Sequence, residues 1–394
     1  MKHLVAPVVL ALTLAFGASA RAQWAQEGGG PAKRYANTEE TVLARGNVAG
    51  LTLQWQRQIG QFYASAVTQA GPQLLVCSNL HRVSGLQPAT GHTDWDQLAG
   101  VADCGTPASA GGRSYLVSST LSPNFRNVVS ALDSASGAVL WEVDLPASSE
   151  NMGLNAGPVV DGGRVYVSSD RGQIVALDAA DGHLLWQATT GGNGVMNNDP
   201  SVDAGRVFVT TWNECCYNAP RQLHAYDAAT GAELWARAVD ASNMQYPALV
   251  LGKNVVVGTD AGAVKAYEAA TGKLRWSRDM GPSLDGPLAA QGQAIYARAG
   301  TSVAALDAKT GATLWTRTLP KGHRSISNAV WANGLVYVVG ENFSLEHVLF
   351  ALNAGSGKPA ASVPLTGVGS YARLSVADGR VYLNSNGTLS ALGL

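Results

Sequence analysis

Apolar and polar residues alternate in short runs along most of this chain, and many of the runs end in the same way. An acidic residue is followed four positions later by glycine and eight positions later by tryptophan. Residues 131–141 read ALDSASGAVLW, and the pattern returns at 176–186 (ALDAADGHLLW), 225–235 (AYDAATGAELW), 266–276 (AYEAATGKLRW) and 305–315 (ALDAKTGATLW). Two worn copies flank these, GLQPATGHTDW at 85–95 and ALNAGSGKPAA at 351–361, where Ala361 replaces the tryptophan. Alternation before the acidic position predicts a strand with one buried face. The Asx side chain caps a turn through nearby amides, and glycine supplies the left-handed backbone that reverses the chain. A second strand then carries the tryptophan, whose ring is too large for one strand pair to bury, so it must pack on the neighbouring repeat.

Further strands lie between these units, among them GGRVYVSS (162–169), AGRVFVTT (204–211), NGLVYVVG (333–340) and DGRVYLNS (378–385), each opening on a tight turn. Each repeat thus reads as an inner strand, a second strand, a third strand and the tryptophan strand. The spacing of 39 to 49 residues between successive last-strand positions is that of a four-stranded propeller blade. Those positions are Trp55, Trp95, Trp141, Trp186, Trp235, Trp276, Trp315 and Ala361. They predict an all-β, eight-bladed β-propeller of four-stranded antiparallel blades, or seven blades if the last is incomplete. The strand ending at Trp55 has no partner beside it in sequence, whereas GTLSALGL at 387–394 lacks a following strand. Pairing the two closes the ring and removes a sheet edge.

Composition narrows the class. Hydrophobic residues make up 46% and charged residues 14%, with 45 glycines, which suits many short strands and disfavours disorder. A formal net charge of −1 without basic runs points away from nucleic acid and anionic membrane. Residues 1–22 read as a secretory signal: Lys2 and His3, an apolar run over 4–16, and small residues suited to cleavage after Ala20 or Ala22. The run is too short to span a bilayer, and no cysteine near the cleavage site suggests a lipid anchor. The expectation is a soluble periplasmic or secreted protein with a signal over 1–22, a flexible lead-in over 23–44 containing GGGP, and a propeller over 45–394.

The Ala-x-Asp-x-x-x-Gly-x-x-x-Trp units resemble the pyrroloquinoline quinone (PQQ) propeller repeats shared by quinoprotein alcohol dehydrogenases and the outer-membrane assembly lipoprotein BamB. The resemblance covers roughly residues 50–394 and speaks for fold more than for function.

Chemistry is expected on the rim that gathers the loops between second and third strands with the approaches to the inner strands. Those approaches bring Asn155, Asn198, Asp199, Tyr246, Asp285, Asn328, Tyr371 and Arg373 near the axis. The long loop after 210 holds Trp212, Asn213, Glu214, Cys215, Cys216 and Tyr217. Four cysteines in an exported chain suggest two disulfides, and the proposed pairs are Cys77 with Cys104 and Cys215 with Cys216. The resemblance implies a dehydrogenase-type site in which Cys215 and Cys216 lie against PQQ, Trp212 stacks on it and Asn213 helps to hold calcium. Asn155, Asp199 and Asp285 are the oxygen-rich candidates for such a metal site. Departures from the dehydrogenase pattern are plain. The cysteine pair and the asparagine share one loop, no acidic segment follows Trp235, and no Cys-x-x-Cys-His is present. The leading expectation is therefore a binding or scaffolding module of the cell envelope, BamB-like, with an envelope or secreted protein as partner. The alternative is a compact PQQ- and calcium-dependent alcohol dehydrogenase with a small quinone cofactor.

Overall fold

The computed structural model describes residues 23–60, 65–78, 82–98, 105–119, 127–145, 157–168, 172–191, 195–213, 221–239, 246–281, 283–369 and 371–394. Eight sheets stand around a common axis, antiparallel throughout except where Ala36–Asn37 joins the inner strand Val330–Ala332 in parallel. Blades 1 to 7 cover residues 68–98, 108–144, 159–189, 195–238, 249–279, 289–318 and 324–365. Blade 8 joins the two ends of the chain, as the unpartnered strands predict. Its first three strands are Ala372–Ala377, Arg380–Ser385 and Thr388–Gly393, and its outer strand is Thr52–Gln58, with Thr52 opposite Gly393 and Gln58 opposite Thr388. No described helix is long and apolar enough to cross a membrane.

The repeated unit folds as its residues dictate. In blade 2, Asp133 Oδ1 accepts hydrogen bonds from the Ala135 and Ser136 amides and the Ser136 hydroxyl, and the Gly137 amide returns to the Asp133 carbonyl at 2.8 Å. Asp227 and Asp307 build the same turn with Thr230 and Thr310. The outer strand then carries one extra residue just before the tryptophan, so that Val139 faces Leu132 but Trp141 faces Ala131. Such a bulge turns the following side chain away from the plain alternation of the strand, here toward the next blade.

Each tryptophan ends on the turn of that next blade. Trp55, Trp95, Trp141, Trp186, Trp235, Trp276 and Trp315 lie against Gly91, Gly137, Gly182, Gly231, Gly272, Gly311 and Gly357, each close enough that a Cβ on the glycine would come within 2.7 Å of the ring. All seven indole nitrogens donate to the carbonyl of the residue after the Asx position, for example Trp186 to Ala228 at 3.1 Å and Trp315 to Ala354 at 2.9 Å. The glycine thus meets two demands, a φ between +66° and +78° and room for an indole. Ala361 now has a reason. Its blade faces blade 8, where the chain ends stand in place of an Asx-Gly turn, and no glycine waits for a ring. The 3-10 turn Val48–Gly50 packs on that outer strand instead, and Leu43, Val48 and Leu51 share its core.

The expectation of a flexible lead-in is corrected by this architecture. Residues 23–37 run along the inner strands, and Trp24, Lys33, Tyr35 and Asn37 there, with Glu40 and Leu43 beyond, are all buried. GGGP reads as a linker by composition. At Gly28 and Gly29 the φ values of +76° and +81° instead bring the backbone against Lys33 and Ala36, where a Cβ would stand 2.8 and 2.9 Å from main-chain atoms.

Two measurements test the joints. Gly182→Ala combines positive φ with overlap on Trp141, whereas Gly163→Ala meets positive φ with nothing within 4 Å. Thermal denaturation should find the first costlier by about 1–3 kcal/mol, the range for overpacking; equal effects would remove the ring contact from the account. The hydrogen bonds to Asp133, Asp227 and Asp307, first those from Ser136, Thr230 and Thr310, hold these carboxyls below the ordinary Asp range. Their stabilisation is therefore complete above about pH 4, the unfolded value, and is lost as pH falls through the depressed folded values. Triple replacement by Asn keeps the acceptor oxygens, so a melting series from neutral to acid pH should show a flatter acid limb and little change near neutrality.

Candidate functional site: an axial collar with buried charges

The inner strand of every blade turns one edge toward the axis. Its middle residue therefore presents a main-chain donor there, and a buried donor without a partner is costly. Residues 24–37 satisfy these donors in order around the ring. The amides of Gln69, Ser109, Val202, Val250, Ala290 and Trp331 donate to the carbonyls of Trp24, Ala25, Pro31, Ala32, Arg34 and Tyr35, at 2.7–2.9 Å. At blade 3 a side chain imitates a strand: Gln26 Oε1 accepts from the Val160 amide at 3.0 Å and its Nε2 donates to the Val160 carbonyl at 3.1 Å. At blade 8, Asn37 Nδ2 donates to the Val376 carbonyl at 2.8 Å. The circuit then closes on itself, because Asn37 Nδ2 also donates to Gln23 Oε1 at 3.0 Å. All eight blades are joined through one short collar.

Charged groups of the collar meet groups at the approaches to the inner strands. Lys33 Nζ lies 2.8 Å from Asp199 Oδ2, with Lys33 fully buried and Asp199 nearly so. The other carboxylate oxygen of Asp199 accepts from the Gly157 amide at 2.8 Å. Glu27 Oε1 accepts from the Tyr35 hydroxyl at 3.1 Å and from Arg373 Nη1 at 3.2 Å. Burial raises the Asp199 carboxyl, an effect that Lys33 only partly offsets. Burial also works to raise Glu27, but the charges of Arg373 and Lys33 and the hydrogen bonds from Thr106 and Tyr35 outweigh it and hold the carboxyl below its ordinary range. Burial pushes the Tyr35 hydroxyl well up, so it acts as a donor. Two acids and two bases, paired across the floor of one rim, fix the position of a segment.

Beside this cluster Arg298 is buried in blade 6, with Nη1 donating to Ser325 Oγ at 2.7 Å and Nη2 to the Asp285 carbonyl. The positive φ of Gly286 and its lack of a side chain leave room for that guanidinium. Desolvation lowers its pKa to about 10.

The residues singled out by sequence fall as follows. Asp199 reaches the axis and is held by Lys33 and Gly157, the latter two positions after Asn155. The Asp285 carboxylate turns to the Gly300 amide within its own blade, so the two carboxylates share no partner. Asn328 ties blade 7 to blade 8 by accepting from the Leu374 amide at 2.7 Å and donating to its carbonyl at 2.9 Å. Trp212 and Asn213 continue the second strand of blade 4, opposite Met196 and Val195; their side chains lie outside the described residues, as do Asn155, Cys104, Cys215 and Cys216 entirely. Cys77 is buried in the second strand of blade 1. Glu27, Lys33 and Tyr35 are not legible as site residues, since the lead-in shows no periodicity, and neither is Arg298, whose partners come from Ser325 and the Asp285 carbonyl.

The family model described as "Outer membrane protein assembly factor BamB" matches residues 126–282, 219–319 and 299–393. The chain belongs to that family. Among curated relatives, BamB of Yersinia pestis is 27% identical over 241 residues, which are 55% of this chain and 58% of the relative. The quinohemoprotein alcohol dehydrogenase ADH IIB of Pseudomonas putida is 32% identical over 149 residues, 34% of this chain and 21% of the relative. The match therefore spans less than two thirds of either relative's length. Among solved structures, BamB from Moraxella catarrhalis aligns with a TM-score of 0.67 at 21% identity, covering 87% of this chain and all of that one. The quinohemoprotein alcohol dehydrogenase of Comamonas testosteroni aligns with a TM-score of 0.73 at 14% identity, covering 94% and 80%. At such identities the structural likeness concerns the fold.

The buried ion pair makes a prediction. Removing one partner leaves the other charge uncompensated, a change that costs about 3–5 kcal/mol in buried pairs. Lys33→Met and Asp199→Leu should each lower the denaturation midpoint sharply, and the double variant Lys33→Met/Asp199→Leu should cost less than the two single effects combined. Additive losses would mean the pair is not coupled.

Proposed function

We propose that this protein is an exported scaffold of the cell envelope, a BamB-like propeller that docks other envelope proteins through one rim. The observation that carries this reading is the filled axis: the described channel is taken up by the chain's own collar, and the charges there are spent on each other. The rim itself remains available. The four most exposed large apolar residues among those described are Phe343, Tyr371, Leu98 and Leu345, at 101%, 84%, 71% and 69%. All four lie on the rim at which the inner strands begin, within the consecutive blades 7, 8 and 1. The turn bearing Phe343 and Leu345 is stiff, since Asn342 Oδ1 accepts from the Ser344 and Glu346 amides at 3.0 and 2.9 Å. Apolar anchors, two of them on a stiff turn, with the exposed Arg324 in the same blade suit a protein interface.

Export and disulfides belong to the same proposal. Cleavage after Ala22 would leave Gln23 as the first residue, and its backbone nitrogen already donates to Gln69 Oε1 at 2.7 Å. A bond between Cys77 and Cys104 agrees with the local contacts: Ser65 pairs with Cys77, and the neighbouring Ala66 amide donates to Thr106 Oγ1 at 3.3 Å, two residues past Cys104. The Cys77 sulfur is engaged. Cys215 and Cys216 form the second proposed pair.

The dehydrogenase reading draws on the Pseudomonas putida relative and on the Cys215–Cys216 pair with Trp212 and Asn213. Against it, Asp199 and Asp285, offered with Asn155 as calcium ligands, already hold protein donors that a cation would have to displace. Titration of the purified protein with PQQ and calcium decides between the readings. The expected result is no change in quinone absorbance and no dye-linked alcohol oxidation; saturable binding with turnover would overturn the scaffold. For the rim, a photo-crosslinker at position 343 should trap an envelope protein in cells, and Arg324→Glu should weaken the adduct while a crosslinker at the exposed Lys309 yields none.

A further inference from the structure

We propose that the axis of this propeller is a polypeptide-binding site, loaded in cis with residues 23–37, and that a second extended segment supplying a basic side chain for Asp199 can take the collar's place. The inference rests on the collar geometry alone and stands whether or not the outer rim docks a partner.

The ring reads the collar as a binding protein reads an extended peptide. Equivalent positions do the work in each blade: Gln69, Ser109, Val160, Val202, Val250, Ala290 and Trp331 each pair with the residue five positions on in the second strand, and each donates its amide inward. Six of the seven acceptors are main-chain carbonyls, which any sequence can offer, and the seventh is a glutamine side chain mimicking one. Main-chain pairing of this kind gives affinity, while side-chain contacts at chosen points give specificity. Here the chosen points are Lys33 on Asp199, and Glu27 between Tyr35 and Arg373. Residues 23–37 contain no cysteine, and beyond Asn37 the chain leaves through the exposed residues Thr38 and Glu39 before Glu40 is buried again. In an emptied channel the same seven donors would turn to water, so a segment that displaces the collar competes by bringing carbonyls of its own.

The test keeps the full chain. A protease site is inserted between Thr38 and Glu39, the protein is cleaved, and a fluorescein-labelled synthetic peptide of residues 23–38 is added. The cleaved ring should retain its circular dichroism, hold its own segment through gel filtration, and exchange it for the labelled peptide in a saturable manner. A peptide carrying Lys33→Ala should bind at least tenfold more weakly, and a scrambled peptide not at all. Loss of the fold on cleavage, failure of the labelled peptide to exchange, or equal binding of the Lys33→Ala peptide would each overturn the proposal. Hydrogen exchange on the uncut protein gives a second reading. The seven inward amides should exchange together, faster than the amides pairing second and third strands in the same blades; equal protection would make the collar a permanent part of the fold.

Discussion

An indole set on a glycine is the contact from which this ring is assembled. Each blade alone is a four-stranded sheet with two apolar faces, and neither face can be covered from within. The tryptophan of one blade crosses to the turn of the next, donates to a carbonyl there, and brings the two sheets to a fixed distance. An aromatic ring of this size buries on the order of 200 Å², and near 25 cal/mol per Å² of apolar area that is several kcal/mol for each joint before ordering costs. The joint works only because the turn glycine has no side chain. The left-handed turn and the docking surface are therefore one requirement, met by one residue type at seven places.

The outer joints hold neighbouring blades, whereas the collar holds all eight at once from inside. The two devices differ in chemistry. Around the perimeter the contacts are aromatic and repeated, and Tyr115, Tyr166, Phe208 and Tyr296 back their tryptophans with ring centroids 6.0–6.1 Å apart. At the axis the contacts are polar and each is different, because one short segment must face eight nearly equivalent edges without itself being a repeat. Carbonyls, a glutamine amide and an asparagine amide serve in turn. The fully buried Lys33 enters there with Asp199 as its partner, which is the condition under which an interior tolerates such a charge.

How much of this was legible in the sequence follows from where periodicity exists. The Asp, Gly and Trp positions recur with their turn chemistry, so blade number, closure by the chain ends and the docking role of tryptophan could be read directly. Ala361 looked like wear and is instead a consequence of closure, since the blade it faces has no turn to receive a ring. Residues 23–44 were misread because a segment that meets every blade once carries no period of its own, and because three glycines and a proline have the composition of a linker. Asp199 was singled out for its place at an inner-strand approach, but its partner Lys33 stands 166 residues away in the stretch taken for a tail. Long-range ion pairs of that kind leave no local trace. Arg298 was missed for the related reason that its environment is made by Ser325 of the next blade and by the backbone around Gly286.

Strand Thr52–Gln58 lies near the beginning of the chain, yet its pairing partner is Thr388–Gly393. Synthesis delivers the collar and this strand before blades 1 to 7, and their last companions after them. Until then the early residues can serve as a template on which successive blades are received in the order they are made, each finding its carbonyl already present. The completed circle, by contrast, waits for residues 388–393, since contacts this distant in sequence form late and slowly. A ribosome or a translocation channel that pauses before residue 388 would hold an arc of stacked blades, open on one side, whose inner lining is nonetheless in place.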